Sequence, residues 1–137
     1  KRKVPLFSIW RKKKTPTKML LEFHKAFGAP YYRVPRIMDD ERTNLRKVLI
    51  EEEVHELFEA LDEGYSMEEI VKEMCDVLYV VYGTAVEMGV DLDRAFQIVH
   101  ESNMSKLGED GKPIYREDGK VLKGPYYHHA DLREFVV

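Results

Sequence analysis

Several familiar functional signatures are missing from this 137-residue chain. A single cysteine, Cys75, rules out an intramolecular disulfide, and its place in the most apolar stretch marks it as a small core residue rather than a nucleophile. No apolar run approaches the roughly 20 residues that span a bilayer, and the first residues do not have the form of a cleavable signal peptide. The expectation is a soluble, cytoplasmic protein without a membrane partner. No G-x-x-x-x-G-K-[ST] loop is present, which removes the P-loop enzymes, and no serine nucleophile elbow appears. Internal repeats and low-complexity segments are also lacking.

What is present is charge, unevenly placed. The net charge is −3, yet the first 18 residues hold eight Lys or Arg and no acid, leaving fourteen basic against twenty-five acidic residues in the remainder. Such an arm could engage nucleic acid or an anionic surface, with Phe7, Ile9 and Trp10 available to dock on a neighbour; a solvated extension is the simpler reading. Residues 1–16 are read as this basic arm and 17–137 as one globular domain, long enough to bury a real core.

Helical signals dominate that domain. Thr17 can cap a helix through Met19, Leu20, Phe23 and Phe27 that stops at Gly28. Residues 29–38, with Pro30 and Pro35, read as irregular. Asp39 or Asp40 opens a long second helix to Asp62, and Ser66-Met-Glu-Glu69 has the form of a capping box for a third that ends near Gly89. Asp91 caps a fourth, with Leu92, Ala95, Phe96 and Val99 on its inner face and Asn103 continuing the stripe. Asp118-Gly119 is a strong hairpin signal, so a short two-stranded flap carrying Lys120 and Lys123 is expected. The expected fold is all-α, an antiparallel bundle of four main helices with a C-terminal β-hairpin flap.

The chemistry concentrates at residues 52–76. Residues three apart share a helix face, so Glu53 pairs with Glu56, and Glu73 with Asp76. Glu73 and Asp76 are the only charges in the fourteen residues from Glu73 to Val86, so the third helix is expected to be buried and its carboxylates taken largely out of water. The short connection between helices two and three brings the two pairs opposite one another. By contrast, Glu51, Glu59 and Asp62 project from the far side. Four inward carboxylates make a hard oxygen site suited to Mg²⁺, or Mn²⁺, rather than Zn²⁺. A di-iron bundle needs two Glu-x-x-His motifs, and only Glu52-x-x-His55 matches. Mg²⁺ held by carboxylates commonly binds substrate phosphates. Lys106, Lys120, Lys123 and Arg46 are the cations expected near the mouth, and His24 and Phe27, with Tyr31 and Tyr32 nearby, form either part of a pocket for a flat ring or an aromatic-rich core edge.

The order Glu52-Glu53-x-x-Glu56, then Glu73-x-x-Asp76, resembles the all-α nucleoside triphosphate pyrophosphohydrolases, the group of MazG-like proteins, dimeric dUTPases and phosphoribosyl-ATP pyrophosphohydrolase. The resemblance extends through Asp76-Val-Leu-Tyr-Val-Val-Tyr-Gly-Thr-Ala, Ser102-Asn-Met-Ser-Lys106 and Asp118-Gly-Lys-Val-Leu-Lys-Gly-Pro125, covering roughly residues 18–127. It implies hydrolysis of a (deoxy)nucleoside triphosphate to the monophosphate and pyrophosphate. It further implies Glu53, Glu56, Glu73 and Asp76 as Mg²⁺ ligands, Glu52 as the carboxylate that activates water, Asn103 and Lys106 as nucleotide contacts, and a base pocket around His24, Phe27 and Tyr79. A homodimer or homotetramer with shared active sites is implied too. The alternative in another class is a non-catalytic helical protein that binds nucleic acid or a partner through residues 1–18.

Overall fold

The computed structural model describes residues 13–137; the basic arm, with Phe7, Ile9 and Trp10, lies almost wholly outside the described residues. Among the described residues four helices follow one another: α1 (Pro16–Phe27), α2 (Asp40–Asp62), α3 (Met67–Glu87) and α4 (Leu92–Met104). A single 3₁₀ turn, Arg133–Phe135, lies near the C-terminus. No helix among the described residues is long and apolar enough to cross a membrane.

Local chemistry explains most boundaries. Ser66 and Glu69 close the capping box reciprocally, satisfying two backbone N–H groups at the start of α3. Asp39 and Asp91 accept from the N–H groups of Arg42 and Arg94. The first helix opens earlier than the sequence reading: Thr15 is the cap and Pro16 the first helical residue, a position where proline's missing N–H is no loss. Thr17 instead lies within the first turn, and its backbone N–H donates to the Asp93 carboxylate, tying α1 to the start of α4.

Helices α2 and α3 run antiparallel, and their cross-contacts show the register. Arg42 meets Glu87, Arg46 meets Thr84 and Val80, and Glu53 meets Glu73 and Asp76. As the α2 number rises, its α3 partner falls. Helix α1 packs across α3, and α4 touches α1 and α3 more lightly.

The expected hairpin does not form. Among the described residues there is no strand, only one isolated antiparallel bridge between Tyr115 and Val121. The chain does turn at Gly119, where φ is +86°, and Arg116 N–H donates to the Lys120 carbonyl. Residues 111–123 are nevertheless all exposed, and an isolated two-stranded ribbon with nothing packed on it is marginal in water.

The core is also smaller than the sequence implies. Among the described residues the buried apolar side chains are Leu20, Ala60, Ala85, Val86 and Ala95. Large side chains of α2 and α3, among them Val48, Phe58, Leu61, Val71, Met74 and Leu78, lie exposed. The expectation that α3 is buried along its length therefore fails for the isolated chain: burial is confined to its last turns, and Cys75 is exposed rather than core. On α4, Phe96 and Val99 face outward as well, and the inner positions are Ala95 and Ser102.

Candidate metal and active site

The antiparallel register brings carboxylates from two helices to one point. Glu53 of α2 and Glu73 and Asp76 of α3 each offer an oxygen atom, and these atoms all lie within 4.8 Å of one another. Their side chains are half-buried; Glu73 is 18% and Asp76 30% exposed. Glu56, one turn along α2, is itself exposed and stands outside this group, though its charge acts on Glu73. Glu52 is exposed and stands outside the cluster, and Glu51, Glu59 and Asp62 face water as expected.

Crowded carboxylates resist ionisation. Partial burial pushes the Glu53 carboxyl above the ordinary glutamate range, and the charges of Glu56, Asp76 and Glu73 push it further. Burial likewise raises Glu73, opposed by the Lys72 ammonium and reinforced by Glu56 and Asp76. One oxygen on each of these glutamates, Glu53 Oε2 and Glu73 Oε2, is buried with no hydrogen-bond partner. Buried charged acceptors without donors are unfavourable, so these two atoms call for a cation. An all-oxygen donor set with no His or Cys in reach suits a hard divalent ion, Mg²⁺ or Mn²⁺.

The sequence reading did not anticipate Lys72. Its ammonium pairs with Asp76 Oδ2 at 2.5 Å and stands 4.0 Å from Glu73 Oε1. The signal was present as an i,i+4 Lys–Asp pair on α3. Phe23 was likewise not singled out. It stacks on Phe27, ring centroids 4.4 Å apart, and meets Tyr79 edge-on at 5.4 Å. Phe27 is 73% exposed. Tyr79 is one helical turn from Asp76, so this aromatic ledge adjoins the acidic cluster.

Two expected ligand contacts are committed elsewhere. His24 is buried, its Nδ1–H donating to the Pro30 carbonyl at 2.6 Å, with its other nitrogen against Gly83. It pins the chain after α1 rather than lining an open ring pocket. Arg46 is also buried: Nε donates to Thr84 Oγ1 at 3.0 Å and Nη2 to the Val80 carbonyl at 2.7 Å. Its guanidinium holds α2 to α3 instead of facing a mouth. Beside it lies a pairing the sequence reading missed, in which Glu87, 1% exposed, receives two hydrogen bonds from Arg42.

The remaining candidates sit on the α4 side. Asn103 is exposed and Lys106 half-buried, with the Lys106 carbonyl accepting from Gly124 N–H. The buried Ser102 hydroxyl donates to the His128 carbonyl, and Ser105 Oγ accepts from His128 N–H, so the segment after Gly124 is fastened to the end of α4. Lys120 is exposed, and Lys123 lies 4.7 Å over the Tyr127 ring. Among the described residues, no hydrogen bond or ion pair joins these side chains to the carboxylate cluster.

Comparison with known proteins gives this geometry a family. A mimivirus protein from Acanthamoeba polyphaga mimivirus, uncharacterized protein L479, is 32% identical over 120 residues, covering 84% of this chain and 45% of that protein. The chain thus spans a little under half the length of that relative. A solved structure from Exiguobacterium sp. 255-15, described as a "putative NTP pyrophosphohydrolase", is 27% identical and covers 87% of this chain and 90% of that one, with a TM-score of 0.43. The sequence profile for phosphoribosyl-ATP pyrophosphohydrolase matches residues 20–103, a span that holds α2 and α3 whole, α1 from Leu20 onward, α4 to Asn103 and every carboxylate of the cluster. With more than half its length so matched, the chain belongs to the phosphoribosyl-ATP pyrophosphohydrolase family of the all-α nucleoside triphosphate pyrophosphohydrolases.

Proposed function

We propose that the protein hydrolyses a (deoxy)nucleoside triphosphate to the monophosphate and pyrophosphate at the Glu53–Glu73–Asp76 cluster. The observation that carries the reading is that Glu53 and Glu73, whose carboxylates converge with Asp76 across α2 and α3, each keep one buried oxygen, Oε2, without a hydrogen-bond partner. Family membership supports the same reaction class.

Glu53, Glu73 and Asp76, joined by Glu56, would hold Mg²⁺ or Mn²⁺. A divalent ion bound there supplies charge neutralisation for the phosphates and a water of lowered pKa. Glu52 is the carboxylate that orients the attacking water and takes its proton. The bond from water oxygen to the α-phosphorus forms as the bond from that phosphorus to the pyrophosphate bridging oxygen breaks. Phe27, Phe23 and Tyr79 offer faces on which a base can stack. Asn103, Lys106, Lys120 and Lys123 contact the nucleotide. We assign their approach to a neighbouring copy, in a homodimer or homotetramer, because the exposed apolar faces of α2 and α3 need a partner.

Incubation with each (d)NTP and Mg²⁺, followed by assay of pyrophosphate, tests the reading. Pyrophosphate release that disappears in Glu73→Gln is expected. Release of orthophosphate alone, or no release with any nucleotide, would overturn it.

A further inference from the structure

One side chain in the cluster has no place in the scheme above. Lys72 projects its ammonium onto Asp76 at 2.5 Å and toward Glu73 at 4.0 Å, within the same group of oxygens that a divalent ion would need. Its own side chain is 66% exposed, so the contact is an open surface pair on a flexible stem, an arrangement that contributes little to stability and breaks easily. An ammonium and a dication cannot share these oxygens without strong repulsion, since the separation is only a few ångströms.

We propose that Lys72 is a resident counter-ion that the metal displaces, and that the displaced ammonium then takes a phosphate oxygen of the bound nucleotide. The proposal rests on the metal-site reading above. In the metal-free protein Lys72 offsets part of the charge of three converging carboxylates. Once a divalent ion takes over that role, the four-carbon stem swings the ammonium outward, where the positive charge meets the anionic polyphosphate rather than the carboxylates. The same residue therefore opposes metal binding and favours substrate binding. It couples the two, because the ammonium is free for phosphate only when the metal is seated.

The test is Mn²⁺ titration by calorimetry, without nucleotide, of the wild-type chain, Lys72→Met and Glu73→Gln, with steady-state kinetics on the first two. Lys72→Met should bind Mn²⁺ about tenfold more tightly, as expected for removal of a unit positive charge from the cluster. Its KM for the nucleotide should rise several-fold. Weaker or unchanged Mn²⁺ affinity in Lys72→Met would overturn the proposal, because it would make the lysine a support for Asp76. Tighter Mn²⁺ with an unchanged or lower KM would overturn it as well, leaving only through-space repulsion. Glu73→Gln separates the two levels: if it binds Mn²⁺ as tightly as wild type, the metal site itself is wrong, whatever Lys72→Met does.

Discussion

Substituting Gly83 by alanine should destabilise this protein, although Gly→Ala inside a helix ordinarily stabilises by about 1 kcal/mol. The reason lies in what the new methyl group would meet. A Cβ at position 83 would stand 2.6 Å from Arg46 Nη2 and 3.1 Å from His24 Nε2. Arg46 is the far end of a long side chain, but it has nowhere to go. Its guanidinium is enclosed, donates to Val80 and Thr84, and has Glu87 3.9 Å away. Burial already pulls the Arg46 pKa down, so the ion depends on those partners. Displacing it combines overpacking, about 1–3 kcal/mol, with the weakening of a charged hydrogen bond, about 1.5–3 kcal/mol. Less the helical gain, the net loss is about 1.5–5 kcal/mol, or on the order of 10 °C in Tm for a chain of this size. Thermal and urea unfolding followed by circular dichroism at fixed protein concentration measures it. In an Arg46→Ala background the same change should no longer destabilise, since the nearer obstructing group is gone and only His24 Nε2 at 3.1 Å stands against the helical gain. A Gly83→Ala protein as stable as wild type would refute the reasoning, as would full additivity in the double variant.

Glu73→Gln should raise the metal-free melting temperature while removing the further rise that Mg²⁺ gives the wild type; a scan with and without the ion decides both. The pH dependence follows the same charges. Because the Glu53 and Glu73 carboxyls titrate above their ordinary value near 4.5, their ionisation favours the unfolded chain, so metal-free stability falls as pH rises from about that value through the folded-state values. Saturating Mg²⁺ should flatten that slope, which urea titrations across the range would show. Phe27→Ala should raise the nucleotide KM roughly tenfold with little change in Tm, because the ring is exposed and its removal leaves no internal cavity. Leu78→Asp, on the exposed apolar face of α3, should shift the light-scattering mass to that of one chain and lower activity; an unchanged mass would exclude this face as the subunit contact.

Much of the fold is written locally. The capping box Ser66–Glu69, the aspartate caps at 39 and 91 and the glycine stops depend on neighbours within a few residues, and they stand where the pattern puts them. The first cap shifts to Thr15 because Pro16 is preorganised for the opening turn. The hairpin failed for a nonlocal reason: Asp118-Gly119 can turn the chain, but a ladder needs a surface to pack on.

At the site, helical spacing and a short connection sufficed to place Glu53 opposite Glu73 and Asp76, since an antiparallel helix pair leaves little choice of register. The sequence by itself could not distribute the basic and aromatic side chains. Arg46 and His24 carry the same chemistry as a phosphate or ring contact, but tertiary packing closes Gly83, Val80 and Pro30 around them and spends their hydrogen bonds inside the bundle. Lys72 reaches Asp76 along its own helix, and packing matters to it only by bringing Glu53 of α2 to the same point; Phe23, on the apolar pattern of the first helix, meets Tyr79 only because α1 packs on α3. Burial is decided at the same level: an apolar helix records that something must cover it, and only the arrangement of neighbouring helices determines which turns they cover.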